Sequence, residues 1–138
     1  MSWQDSPDTD TDPVIHSLVG SGHLDKGAII SAAGDSVWAA SGGFDLKPEE
    51  MKLISSIVGG DSNAKDKAFA EGLYVGGERF VMARAEDRSI YARAGRTGLA
   101  VAKTKQAIIV GHHPEGAVAG NATSTVESLA DYLIGQGY

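Results

Sequence analysis

The chain has 138 residues, 42% hydrophobic and 22% charged, with a formal net charge of -6 at pH 7. This is one domain's length of ordinary globular composition, which argues against a disordered or fibrous protein and against a second domain. No apolar run approaches the ~20 residues that cross a bilayer, and the absence of cysteine removes disulfides and thiolate chemistry together.

The first residues, Met1 to Asp8, have neither the basic start nor the apolar stretch of a secretion signal, so a cytoplasmic protein is expected. Residues 5–12 hold four acids and no base and read as a disordered, solvated loop. Asp12-Pro13 marks a helix start, with Val14, Ile15, Leu18 and Val19 as its apolar stripe and Gly20 and Gly22 as its stop. Ala28–Ser31 and Ser36–Ser41 around Ala33-Gly34-Asp35 form an antiparallel hairpin. Pro48 opens a second helix whose apolar face is Met51, Ile54, Ile57 and Val58, closed by Gly59-Gly60.

From Gly72 onward the pattern is β, with strands expected at Leu73–Val75, Arg79–Arg84, Arg88–Arg93, Leu99–Lys103 and Gln106–Val110. Their short connections force an antiparallel meander. The last element is a helix, with Ser124 and Glu127 as a capping box, Val126, Leu129, Ala130, Leu133 and Ile134 as its stripe, and Gly135 as its stop. An α+β fold with helices on both faces of an antiparallel sheet follows.

Charge is unevenly spread. Between Arg79 and Lys105 seven bases (Arg79, Arg84, Arg88, Arg93, Arg96, Lys103, Lys105) stand against Glu86 and Asp87, while the rest of the chain is strongly acidic. Such a stretch suits an acidic protein surface or anionic lipid headgroups, and equally a row of solvated residues protecting a sheet edge. No helix-turn-helix, basic helix or aromatic stacking platform favours nucleic acid.

Catalytic signals are weak. His112-His113 beside Glu115 lacks a third ligand at recognisable spacing, and neighbours on an extended segment point to opposite sides, so a strand-end or surface pair is favoured over a metal. Gly20-Ser-Gly22 lacks the strand and third glycine of a dinucleotide loop, no serine sits in a nucleophile elbow, and Asn121-Ala-Thr123 matches the glycosylation pattern by chance. No cofactor, metal or enzymatic activity is expected. Trp3, Trp38, Tyr132 and Tyr138 are the more informative residues, since apolar-bodied, polar-tipped aromatics build grooves for proline-rich helices, although each alone fits equally well as an anchor for a terminal helix.

Five ordered blocks carry a resemblance across the whole chain: Met1–Gln4, Asp35–Ser41, Arg84–Tyr91, Lys103–Gln106 and Leu129–Tyr138. They resemble the profilin family, particularly its fungal and amoeboid branch. The resemblance implies a single domain over residues 1–138, with a central antiparallel sheet of about six or seven strands and the N- and C-terminal helices packed together. It further implies a monomeric cytoskeletal protein that binds monomeric actin, regulates its polymerisation and nucleotide exchange, and binds proline-rich partners such as formins and phosphatidylinositol bisphosphate at the membrane surface.

Carried over by position, Trp3, Trp38, Tyr132 and Tyr138 would form the proline groove. Arg79, Arg84, Arg93, Lys103 and His112 would meet actin, with Arg96 and Lys105 as further candidates. Arg79, Arg84, Arg88, Arg93, Arg96 and Lys105 would meet the phosphoinositide. The chain departs from the family where Ser6 stands three residues after Trp3 in place of a groove tyrosine, where residues 5–12 resemble an insertion that, if skipped, brings Val14 to that place, where Ser124 replaces a lysine and where His113 replaces a tyrosine. Those departures leave a second reading open, a proline- or phosphoinositide-binding module with weakened actin contact.

Overall fold

A computed structural model describes residues 24–40, 46–75, 77–85, 89–116 and 118–137. The expected first helix, the acidic segment 5–12, Trp3, Arg88 and Tyr138 lie outside the described residues. Seven strands form one antiparallel sheet: β1 (Lys26–Ser31), β2 (Val37–Ala40), β3 (Leu73–Val75), β4 (Glu78–Ala85), β5 (Ser89–Ala94), β6 (Thr97–Lys103) and β7 (Ala107–His113). Their order is β2-β1-β7-β6-β5-β4-β3, a meander from β3 to β7 with the β1–β2 hairpin added at its end. This is the expected α+β sheet.

Three helices are described: α1 (Pro48–Val58), α2 (Ser62–Glu71) and α3 (Ala119–Gly135). Helix α1 buries the four expected residues against one sheet face, with Phe80, Met82, Leu99 and Val101 in the same cluster. Helix α3 buries Ala122, Val126, Ala130 and Leu133 against the other face, over Ile29, Ala100 and Ile109.

One helix boundary and one whole helix differ from expectation. The N-cap of α3 is Val118, not Ser124, so the proposed capping box lies inside the helix. The buried Ala122 and Val126 extend the apolar stripe back through that extra length. Helix α2 was not foreseen because it buries only Ala68, so its apolar period is weak. Its start is nonetheless encoded: Asp61 Oδ1 accepts from the backbone N–H groups of Asn63 and Ala64 at 2.9 and 3.1 Å.

Strand β7 runs three residues past the expected Val110, which takes both histidines into the sheet. The sheet curls. β6 and β5 lie between β7 and β4 in the order, yet the rings of His112 and Phe80 sit edge to face at 5.9 Å.

Candidate functional site

Helix α3 packs on β6 and β7, the centre of the strand order, and therefore forms a ridge on its sheet face. To one side lie β5, β4 and β3, and to the other β1 and the edge strand β2. Five of the sequence-predicted residues divide between these two flanks: Arg79, Arg84 and Arg93 on the first, Trp38 and Tyr132 on the second.

On the first flank, pairing places Tyr74 opposite Arg79, Val81 opposite Arg93, and Arg84 opposite Tyr91. A regular strand would turn Arg84 away from Arg79 and Val81, because successive side chains alternate. The bulge between Met82 and Arg84 inserts one residue and returns Arg84 to their face. Without it, Arg84 would share the side of Phe80 and Met82, in the core. Three arginines thus share one face with two apolar side chains that solvent still reaches, Tyr74 at 46% and Val81 at 55% exposure. An apolar centre with guanidinium groups around it is the composition of a protein-binding surface.

Arg79 is anchored as well as exposed. Its Nε donates to Glu71 O at the end of α2 at 2.8 Å, and the side chain lies over Gly72, where a Cβ would stand 2.7 Å from Nε. Gly72 also has a φ of 98°, so the position excludes other residues twice over.

Tyr91 and His113 close the patch toward α3. Gly98 pairs with His113 and with Arg93, and its missing side chain leaves room above β6 for the Tyr91 and His113 rings to stack across it. Their Oη and Nε2 atoms are 2.9 Å apart. His113 Nδ1 faces Pro114 O at 3.2 Å, and since a carbonyl only accepts, Nδ1 carries the proton. A neutral ring then offers a bare Nε2 to the tyrosine O–H. Burial pushes the Tyr91 phenol above its ordinary value, with Arg93 opposing the shift.

Four predicted residues fall elsewhere. His112 is 6% exposed and faces the core beside Phe80, its Nδ1 donating to Asp25 Oδ1 at 2.6 Å; it is not a surface contact. His112 and His113 end β7, point to opposite faces and share no site, as expected of a strand-end pair; both are buried, so the surface alternative does not hold. Lys103 pairs with Ile108 on the face of Leu99 and Val101, away from the arginines. Arg96, in the β5–β6 turn, is paired with Glu115 at 2.9 Å. Lys105 occupies the β6–β7 turn, at the other end of the seven-residue β6, about 20 Å away. Of the six residues expected for the phosphoinositide, Arg79, Arg84 and Arg93 cluster, Arg96 and Lys105 stand apart, and Arg88 lies outside the described residues.

On the second flank, Trp38 of β2 packs against the α3-side cluster together with Leu129. Tyr132 of α3 is 51% exposed. Trp3 and Tyr138, the other two proposed groove residues, lie outside the described residues.

At the β3 edge of the sheet a cleft of about 810 Å3 lies between α1, α2 and β3, with Lys47, Glu50, Leu53, Lys67, Tyr74 and Gly77 among its walls. Sequence reading missed this cleft and also the apolar members of the patch, Tyr74 and Val81. Alternation with the buried Leu73, Val75, Phe80 and Met82 was the available signal.

The sequence model of the profilin family matches residues 1–138. Profilin of Saccharomyces cerevisiae is 45% identical over 138 residues, covering 100% of both chains. The crystal structure of Schizosaccharomyces pombe profilin superposes with a TM-score of 0.84 at 40% identity, over 99% of this chain and 100% of that one. Mouse profilin IIa, solved in complex with a double repeat from the FH1 domain of mDia1, shares the fold at a TM-score of 0.75 and 23% identity, over 90% and 96% of the two chains.

Proposed function

This chain belongs to the profilin family, and we propose from that premise that it binds monomeric actin through the arginine face and a proline-rich segment on the far side of α3. The actin face comprises Arg79, Arg84 and Arg93 around Tyr74 and Val81; the proline groove comprises Trp38 and Tyr132 with Trp3 and Tyr138. His112 and Lys103 are not part of either. Regulation of polymerisation and of nucleotide exchange follows from holding the monomer, with no covalent step by this chain.

The observation that carries this reading is the β4 bulge. Burying an arginine without a partner is costly, and the bulge turns Arg84 out to join Arg79 and Arg93 on a surface with an apolar centre. Positive charge there suits an acidic partner, steering its approach and fixing its orientation. The separation of the flanks by α3 supports simultaneous engagement of a second, proline-rich ligand. The FH1 repeat bound by mouse profilin IIa is a ligand of that kind.

Sedimentation velocity of an equimolar mixture with monomeric actin tests the proposal. A one-to-one complex that Arg93→Glu weakens supports it, and two independently sedimenting species refute it. Phosphoinositide binding is a further part of the reading, supported by the same three arginines, which gather more positive charge than any other described segment.

A further inference from the structure

Three consecutive residues of the β3–β4 turn and β4 start are each tied to a different element. Gly77 N–H donates to Glu50 Oε2 of α1 at 3.0 Å, Glu78 Oε1 lies 4.0 Å from His112 Nε2 of β7, and Arg79 Nε donates to Glu71 O at the end of α2. Of these ties the first is distinctive. Glu50 is 5% exposed, and its other oxygen accepts from Lys47 N–H at the start of α1 at 2.9 Å. One buried carboxylate therefore spans 27 residues of sequence, joining a helix start to a hairpin tip.

The hairpin needs that tie. β3 has three residues and, among the described residues, is an edge strand paired only with β4. The tip borders the 810 Å3 cleft, whose walls include Lys47, Glu50, Tyr74 and Gly77, so side-chain packing is thin on that side. Gly77 itself has a φ of 84° and no neighbour within 4 Å of a would-be Cβ. A carboxylate buried at such a place is costly to desolvate unless it accepts strong, charge-assisted hydrogen bonds, and it accepts backbone N–H groups from both elements.

We propose that Glu50 is a positioning residue for the arginine face: its carboxylate fixes the Gly77 turn and so sets how Tyr74, Arg79 and Val81 are presented to the partner. This rests on the reading of that face as the actin site. Glu50 belongs to α1 on the opposite sheet face, so its effect on binding would be transmitted through the hairpin. Ordering the hairpin before binding removes a cost otherwise met on association, which slows dissociation more than it alters encounter.

Glu50→Gln and Glu50→Asp test the proposal, with Arg93→Glu in parallel. Glutamine keeps one acceptor and presents an N–H2 where the second stood, so Lys47 and Gly77 cannot both be satisfied. Aspartate keeps the charge and suits a helix N-terminus but is one methylene too short to reach both groups. Three quantities are read: Gly77 amide exchange, affinity for monomeric actin, and affinity for a proline decamer. Both variants are expected to speed Gly77 exchange and to weaken actin binding about five- to tenfold, mainly through faster dissociation, with decamer affinity held within about twofold. Faster exchange with unchanged actin affinity in Glu50→Asp overturns the proposal, as does equal loss of actin and decamer binding. If Arg93→Glu leaves actin binding unaltered, the reading of the face has failed, and Gly77 exchange then decides alone: unaccelerated exchange overturns the positioning role.

Discussion

Tyr91 and His113, on strands that are not neighbours, meet across β6 because Gly98 between them has no side chain. Their rings are parallel within 2° and their polar atoms 2.9 Å apart. The contact ties β5 to β7 at the point where α3's cover ends and the arginine face begins.

Gly98→Ala is expected to destabilise the protein by about 1–3 kcal/mol, since the new methyl would overlap the His113 ring and stand 2.8 Å from Tyr91 Oη. Tyr91→Phe removes one hydrogen bond and leaves the imidazole nitrogen unsatisfied, at about 0.5–1.5 kcal/mol. Denaturant titration at neutral pH measures both, and a Gly98→Ala chain as stable as the parent would contradict the packing described.

The same pair gives a pH dependence. The folded state holds the Tyr91 proton to higher pH than the unfolded chain, whose phenol titrates near 10.0. Its contribution is therefore fully present below about pH 10 and is lost as pH rises through the higher folded value. Stability should fall above pH 10 more steeply in the parent than in Tyr91→Phe. Identical alkaline limbs would show that burial does not perturb this phenol.

Arg93→Glu should weaken actin binding by about 1.4 kcal/mol or more, tenfold in affinity, because it places like charge against an acidic partner beside the apolar Val81. Lys103→Ala is expected to have no effect beyond twofold, since Lys103 lies on the other face. A loss on Lys103→Ala equal to that on Arg93→Glu would place the interface elsewhere.

These assignments separate what alternation makes legible from what it does not. The side of Lys103 follows from Leu99 and Val101, four and two residues before it, and His112 follows Val110 and Ile108 into the core once β7 is extended. Arg84 is different. It lies five residues from Arg79, an odd spacing that a regular strand would send to opposite faces, and only the bulge reunites them. Bulges depend on pairing with a partner strand, which local sequence does not encode. Helix α2 escaped notice because its burial is slight, though the Asp61 cap marks its start. The opposing flanks of α3 likewise come from strand order, a tertiary property.

Vesicles containing phosphatidylinositol bisphosphate should compete with actin, because both ligands would draw on Arg79, Arg84 and Arg93. The competition should weaken with salt, as the screening length shortens from about 8 Å at 0.15 M to 3 Å at 1 M. Arg96→Ala and Lys105→Ala should matter little, the first being paired to Glu115 and the second standing at the far end of β6. Vesicle co-sedimentation with actin as competitor measures this, and additive binding of both ligands would rule out a shared site.

Proline binding is the last expectation, and it is independent of the arginines. A polyproline II helix arrives extended, so little ordering entropy is lost, and aromatic faces cover its rings while indole N–H and phenol O–H reach its carbonyls. Trp38 packs on the α3-side core cluster, which includes Leu133, and Tyr132 is half exposed on the helix, so packing would hold the Trp38 side of the proposed groove in place before ligand arrives. If residues 5–12 are an insertion, Val14 stands where the resemblance implies a groove tyrosine, and the absence of its O–H would cost about 0.5–1.5 kcal/mol or up to roughly tenfold in affinity. Binding should therefore be saturable but weak. Tryptophan fluorescence during titration with a proline decamer reads it directly, Trp38→Ala should abolish it, and Arg93→Glu should leave it unchanged because α3 stands between the two flanks. Deleting residues 5–12 separates two causes of weakness: a deletion variant that binds much more tightly than the parent assigns the deficit to that acidic segment, whereas equal affinities assign it to the missing donor at Val14.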